Sequence, residues 1–487
     1  MSTSSDTTRG TALMALALTA WAGCGGPPPP VERVVLITCD TLRADRLGVY
    51  GYGEPTSPQL DALAREGLVF DAAYSSAPWT RPALSSLMTG RYAEEVGAAP
   101  GNLRRMPAAV ETLAERVSAA GIATAAVVSN GLIVAPPPAA GPVDLAQGFA
   151  TYDDAMTAME LNRAMPERPA PDTTDAALAW LARHAQAGGG RCFLWVHYQD
   201  PHGPYTPPAE LAGAFETPAA EVGTERLLPI GANMRGKGQI PLYQRLERAP
   251  GVAEQRPHVY RDRYDAEIAF FDRELGRLLD ALRGDPAWAS TLVIFSADHG
   301  ESLGEGDHWF CHGENVQRET VHVPFVVRYP AGWRGPRSVE RDGYARVAEV
   351  VGHVDVWPTV LTAFGLDPAG SRGLALVDGR LPDERVLAQS FLPGQEQRLQ
   401  WAVTDGRWRM VWGADALKHL YDLADDPGET RDVAAAHPDV VERLGVRYQA
   451  SMRLFAGQGH EGSEVELDPA TLRALQKLGY AEGGDVE

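Results

Sequence analysis

Short, uninterrupted runs of branched and aromatic residues punctuate the chain, and they restrict its fold more than any other feature. Val34-Val35-Leu36-Ile37, Thr124-Ala125-Ala126-Val127-Val128, Phe193-Leu194-Trp195-Val196 and Leu292-Val293-Ile294-Phe295 lack the polar alternation of a strand with one wet face. Each reads as a parallel strand buried on both sides. The segments between them are helical in pattern. From Tyr264 to Leu282, the residues Ile268, Phe271, Leu275, Leu278, Leu279 and Leu282 fall on one 3.6-residue face, a core stripe. Strands alternating with helices imply an α/β fold, a mostly parallel central sheet flanked by helices.

Three of these strands run into the same chemistry. The first ends at Asp40, the third in Asp200-Pro201-His202, the fourth in Asp298-His299-Gly300. Sites in open α/β sheets form outside the carboxyl ends of the strands, so these groups are expected to share one crevice. Carboxylates and neutral imidazoles ligate zinc and similar divalent metals; the same carboxylates also suit helix capping. A further segment, Ala77-Pro78-Trp79-Thr80-Arg81-Pro82, looks like a helix start with Thr80 at the N-cap, Pro82 in the first turn and Gly90 as the stop. A helix N-terminus is also an anion site. Thr80 suits either a cap or a nucleophile activated by a metal, and the segment by itself favours the cap.

Charge excludes one class of partner. Lys and Arg number 44 against 64 Asp and Glu, a formal net charge of -20, whereas nucleic-acid binding needs a basic surface. The four cysteines, Cys24, Cys39, Cys192 and Cys311, show no CxxC spacing, so neither a zinc ribbon nor a disulfide framework is expected. Cys39 and Cys192 read as small core hydrophobes. Arg9 followed by the apolar stretch Thr11 to Ala22 has the layout of a secretory signal, and Ala22-Gly23-Cys24 resembles a bacterial lipoprotein cleavage site. The expectation is an exported protein, periplasmic or at the cell surface, anchored by a lipid on Cys24. No later segment suggests a membrane-spanning helix.

The expected organisation is a signal over 1–24, a Pro-rich linker over 25–31, a large α/β domain over 32–375, a small α+β subdomain over 376–455 and an acidic tail over 456–487. The subdomain contains strand-like Trp401 to Thr404 and Trp408 to Trp412 and a helix near Asp439 to Phe455. Two long irregular stretches, Pro136 to Arg168 and Gly203 to Pro257, read as pocket walls or insertions.

Taken together and in order, the motifs resemble the sulfatase-like family of the alkaline phosphatase superfamily. Ile37-Thr38-Cys39-Asp40-Thr41-Leu42-Arg43-Ala44-Asp45-Arg46-Leu47-Gly48 is similar to its N-terminal motif, and Thr80 to Arg91 occupies the place of its signature. His197 to Tyr205 resembles its Asp-Pro-His-x-Pro-Tyr segment. Asp298-His299-Gly300-Glu301 with His312-Gly313, Asp355-Val356-Trp357-Pro358-Thr359, and Leu420 to Leu423 with Asp426-Pro427-Gly428-Glu429 resemble its later motifs. The resemblance covers residues 32 to 455 and implies an alkaline-phosphatase-like sheet with a C-terminal α+β subdomain. It implies that Asp40, Asp298, His299 and Thr80 hold a divalent metal and that Thr80 is the nucleophile, which reverses the capping reading. His202 and His312 are implied as catalytic groups facing the anionic part of the substrate, or as ligands of a second metal with Asp200. Asp307 and His308 are candidates for a supporting role. His197 and His322, inside apolar runs, read as core histidines.

Departures from the family pattern narrow the chemistry. Thr80 stands where the family's formylglycine precursor, a cysteine or serine, is needed; oxidised threonine would give a ketone, so no formylglycine is expected. Leu84 replaces an arginine of the signature, Ser129-Asn130-Gly131 replaces the sulfate-gripping Lys-x-His, and Thr41 replaces a second aspartate. A metal-bound threonine resembles instead the pattern of superfamily members that cleave phosphate diesters, the nucleotide pyrophosphatase/phosphodiesterases, lipoteichoic acid synthases and phosphoethanolamine transferases. The expected function is a metal-dependent hydrolase of phosphate or sulfate esters. The alternatives are a transferase of phospho-headgroups to a lipid or glycan, and a non-catalytic binding protein on the same fold. The donor set favours zinc or manganese, with calcium possible, and leaves room for a second metal. The expected partner is an anionic ester, with no nucleic acid and membrane contact only through the anchor.

Overall fold

The computed structural model describes residues 31–99, 104–135, 144–163, 165–218, 222–223, 225–377, 379, 381, 387–391, 400–413, 417–456, 460 and 463–464. The secretory signal, Cys24, residues 25–30 of the Pro-rich linker and nearly all of the acidic tail lie outside the described residues, as do residues 136–143 of the first irregular stretch. Among the described residues, no helix is long and apolar enough to cross a membrane.

All four apolar runs form strands of one nine-stranded sheet. In chain order its members are β1 (Arg33–Cys39), β2 (Leu68–Phe70), β3 (Ala123–Val128), β4 (Thr151–Asp153), β5 (Cys192–Tyr198), β6 (Thr291–Ala297), β7 (Phe325–Arg328), β8 (Val339–Arg341) and β9 (Tyr344–Val347). Across the sheet they lie in the order β8, β9, β2, β7, β6, β1, β5, β3, β4. The stretch from β6 to β4 is wholly parallel, and β7 and β8 run against it. Every residue of β1, β5 and β6 is buried, which is why their sequences carry no polar alternation.

Helices cover the sheet in two groups. One comprises α1 (Pro58–Arg65), α4 (Ala170–Gln186) and α5 (Pro257–Arg283), which pack on one another. The other comprises α2 (Thr80–Thr89), α3 (Leu113–Ala119) and α6 (Val356–Ala363). The expected stripe of α5, from Ile268 to Leu282, is buried throughout, and the helix starts about three turns upstream of it, where Pro257 occupies its first turn. After α6, a second, antiparallel sheet of four strands comprises β10 (Leu387–Phe391), β11 (Gln400–Thr404), β12 (Trp408–Gly413) and β13 (Lys418–Asp422), and α7 (Pro438–Ala456) follows. Its attachment to the main body is polar as well as apolar. The buried Arg409 guanidinium reaches Glu429 at 2.7 Å and the carbonyl of Val316, while Val316, Ala402, Val411 and Tyr421 form a small core against Trp79.

Register places the chemistry. Cys39 pairs with Ala297 on one side and Tyr198 on the other. The ladder continues one residue further, with the Asp40 N–H donating to Tyr198 O at 2.9 Å and the Asp298 N–H to Cys39 O at 3.1 Å. Asp40 and Asp298 therefore leave adjacent parallel strands at the same level.

Candidate active site

Side chains two apart on a strand share a face. Thr38 is paired with His197 on β5 and with Ser296 on β6, so Asp40, His197 and Asp298 emerge on the same side. One oxygen or nitrogen from each lies within 4.8 Å of the others, and all three residues are fully buried. His299 joins them, its Nε2 3.7 Å from Asp40 Oδ1 and 3.6 Å from Asp298 Oδ2. The His299 Nδ1–H donates to Gly300 O at 2.9 Å, which fixes the tautomer and leaves the Nε2 lone pair facing the carboxylates.

These groups are held in place without being satisfied. Asp298 Oδ1 accepts the N–H groups of Thr41 and His299 at 3.2 and 2.7 Å, and Asp40 Oδ2 accepts Asn130 Nδ2–H at 2.6 Å. Asp40 Oδ1, Asp298 Oδ2 and His197 Nε2 are buried with no hydrogen-bond partner among the described residues. Orphaned buried carboxylate oxygens are costly, and three inward-facing orphans in one cage fit a divalent cation. The electrostatics agree. Burial and the neighbouring Asp40 push the Asp298 carboxyl well above the ordinary range. Burial also pushes Asp40 up, but His202, His197 and His299 outweigh it and hold that carboxyl below the ordinary range. Burial and His312 press His299 down to about 3, so its imidazole is neutral at physiological pH.

Thr80 stands at the rim of this cage, its Oγ1 3.4 Å from His299 Nε2. The structure corrects its expected helical position. Trp79 is the N-cap of α2, with extended φ and ψ and no side-chain cap, and Thr80 is the first helical residue. Its hydroxyl does not cap the helix and is turned into the site, while Gly90 ends α2 in the left-handed conformation at φ 64°.

His312 and His202 form the opposite wall. The His312 ring centroid lies 4.6 Å from that of His299 and 5.2 Å from that of His202. His312 Nδ1 is 3.2 Å from Glu301 Oε1, and the ring meets Trp79 edge-on. The His202 Nδ1–H donates to Gly203 O at 2.7 Å.

Several placements differ from the sequence reading. His197 is not simply a core histidine: Thr38 Oγ1 lies 2.9 Å from its Nδ1, and its Nε2 enters the cage, 3.7 Å from Asp40 Oδ2. His322 fits the core reading: it is buried, and its Nε2–H donates to Asp71 O at 2.9 Å. Asp200 is directed away from the cage; its Oδ2 accepts the N–H of Ala170 at the start of α4, at 2.8 Å, so it does not join His202 and His312. Asp307 is engaged with Arg226, and His308 with Glu314, on the outer side of a hairpin formed by Ser302–Leu303 and Trp309–Cys311.

Three residues were missed. Asn130, noted only for the absence of a lysine, holds Asp40. Glu160 and Arg163, from the first irregular stretch, form a buried ion pair whose Arg163 Nη2 lies 3.3 Å from both ring nitrogens of His202. In the sequence, the reading of that irregular stretch as a pocket wall is the signal that points to them.

The family model for sulfatases matches residues 32–366. The chain belongs to the sulfatase family. Bovine arylsulfatase A is 25% identical over 512 residues, covering 94% of this chain and 95% of the relative. The uncharacterized sulfatase YidJ of Escherichia coli is 25% identical over 443 residues, covering 82% of each. Among solved structures, the phosphonate monoester hydrolase of Agrobacterium radiobacter superposes with a TM-score of 0.65 at 22% identity, covering 88% of this chain and 96% of that one. The phosphonate monoester hydrolase from Silicibacter pomeroyi gives 0.66 at 20% identity, covering 89% and 99%. The sulfatase-family chain is an ester hydrolase by membership, with a cage of the kind that holds the family's divalent metal.

Proposed function

We propose that this sulfatase-family hydrolase cleaves phosphate or phosphonate esters, and sulfate esters less readily, with Thr80 as nucleophile. The observation that carries the proposal is the Thr80 hydroxyl, freed from capping and turned toward His299 beside three orphaned ligand atoms. Asp40, Asp298, His299 and Thr80 would hold a divalent metal, with His197 as a further donor. Such an ion would lower the pKa of the Thr80 hydroxyl and offset the negative charge of the ester.

The chain's own residues supply the rest. Asn130 and the backbone N–H groups of Thr41 and His299 fix the carboxylates, so the cage needs no rearrangement during reaction. Thr80 Oγ1 gives its proton to solvent and forms a bond to phosphorus or sulfur while the bond to the ester oxygen breaks. The departing oxygen takes a proton from water on the side lined by His202 and His312. Water then displaces Thr80 and regenerates the hydroxyl. Arg163, held by Glu160, places a guanidinium nitrogen 3.3 Å from both ring nitrogens of His202 and so orients that ring.

An activity panel with aryl sulfate, phosphate monoester, phosphate diester and phosphonate monoester tests this reading, with Thr80→Ala alongside. Phosphoryl or phosphonyl turnover should fall by at least about 10³-fold in the variant. Undiminished turnover would refute the nucleophile, and silence on every ester would favour a binding protein. Added acceptor alcohol separates hydrolysis from transfer. The proposal includes export and a lipid on Cys24, checked by fatty-acid labelling that Cys24→Ala abolishes.

A further inference from the structure

The hairpin that brings His312 to the ester site carries a second group of ligand-type side chains on its outer side. His308, Cys311 and Glu314 follow one another at intervals of three residues, and His312 stands between the last two. A ring nitrogen, the thiol sulfur and a carboxylate oxygen lie within 4.8 Å of one another. His308 Nδ1 and Glu314 Oε2 are 2.9 Å apart, and Cys311 is buried while the other two are partly exposed. Tetrahedral zinc, with ligand bonds of about 2.0–2.3 Å, spaces its donors roughly 3.3–3.8 Å apart. The three groups, all within 4.8 Å of one another, are gathered on that scale.

The surroundings are built around the same three atoms. The Gly236 N–H donates to Glu314 Oε1 at 2.8 Å, leaving Oε2 for the cluster. A Cβ at position 236 would stand 2.3 Å from Cys311 Sγ, so glycine is what allows this crossing segment to close over the thiol. Trp309 N–H donates to Gly236 O at 3.1 Å, and Gly238 N–H to Asp307 O at 2.8 Å, tying the crossing segment to the hairpin. A histidine–carboxylate hydrogen bond accounts for two of the groups; it does not account for a buried thiol converging on both.

We propose that His308, Cys311 and Glu314 bind a zinc-type transition-metal ion, distinct from the ester-site metal, that pins the turn presenting His312. Thiolate and imidazole suit a softer cation than the oxygen-rich cage of Asp40 and Asp298. On binding, the Cys311 thiol gives its proton to solvent and the sulfur forms the bond to the metal. Solvent fills the fourth position on the exposed side. The proposal does not depend on Thr80 or on any ester being cleaved.

The test is cobalt substitution of the chelator-stripped full chain. Sulfur ligation gives a thiolate-to-cobalt charge-transfer band that nitrogen and oxygen ligands do not. The wild type should show this band, Asp298→Asn should keep it, and Cys311→Ser should lose it together with one equivalent of bound zinc. His308→Ala and Glu314→Gln should each weaken zinc binding at this site by at least about 10-fold, and they serve if Cys311→Ser does not fold. A wild type without the band at saturating cobalt would overturn the proposal. So would a band that persists in Cys311→Ser, or one unchanged in both His308→Ala and Glu314→Gln.

Discussion

Asp40 and Asp200 follow neighbouring parallel strands and read alike in the sequence, yet the fold uses them in opposite ways. Asp40 faces Asp298 and His299 with Oδ1 left unpaired. Asp200 turns back toward α4, where Ala170 N–H meets its carboxylate at 2.8 Å; burial in that seam pushes it up to about 6, and burial and Asp200 push the adjacent Glu267 well above its usual range. One carboxylate completes a helix end and has its oxygens satisfied, with Glu267 beside it. The other leaves Oδ1 facing His299 with no hydrogen-bond partner among the described residues. Burial alone does not separate structure from function here; the fate of the individual oxygens does.

Substitution should split the two regions. Asp298→Asn should cost at least about 10³-fold in ester turnover, measured by steady-state kinetics with bound metal determined in parallel. Asp200→Asn should leave both unchanged, and loss of metal in that variant would erase the distinction. A second-tier effect belongs to the residues that orient the cage: Asn130→Ala and His197→Ala should each weaken metal binding by about 10–100-fold, read by competition with a chelating indicator. An unaltered affinity in His197→Ala would return that histidine to the core.

Stability sharpens the comparison further. In metal-free protein, Asp298→Asn relieves a buried carboxylate pair and should stabilise by about 1 kcal/mol. The denaturant midpoint of the apo variant checks the sign, and a midpoint below that of the wild type would refute it. The smallest effect concerns pH. Asp272 accepts the N–H groups of Gln59 and Leu60 at the start of α1, at 2.8 and 2.9 Å, and burial pushes it up to about 7. Between about pH 4 and 7 the folded chain binds this proton and the unfolded chain does not, so the contribution favours folding at low pH and is lost as pH rises through that window. Asp272→Asn should flatten this part of a melting-temperature profile; an unchanged slope would assign it to other acids.

Much of this protein was legible before any coordinates. Apolar runs and 3.6-residue stripes are local, so the sequence determined that β1, β3, β5 and β6 are buried strands and that α5 packs along one face. Strand-end Asp40, Asp298 and His299 followed, because parallel strands deliver their carboxyl ends to one edge. The same local pattern could not tell His197 from a core residue, since β5 is buried on both faces and every side chain on it looks alike. Tertiary structure decided that question through register: the pairing of Thr38 with His197 aims the imidazole at Asp40. It likewise shifted the cap of α2 to Trp79 and released the Thr80 hydroxyl, sent Asp200 to a helix end, and brought Asn130 and the Glu160–Arg163 pair across from distant loops. Each of those outcomes depends on how separate elements dock, and docking is set by contacts between residues far apart in the chain, which no local spacing records.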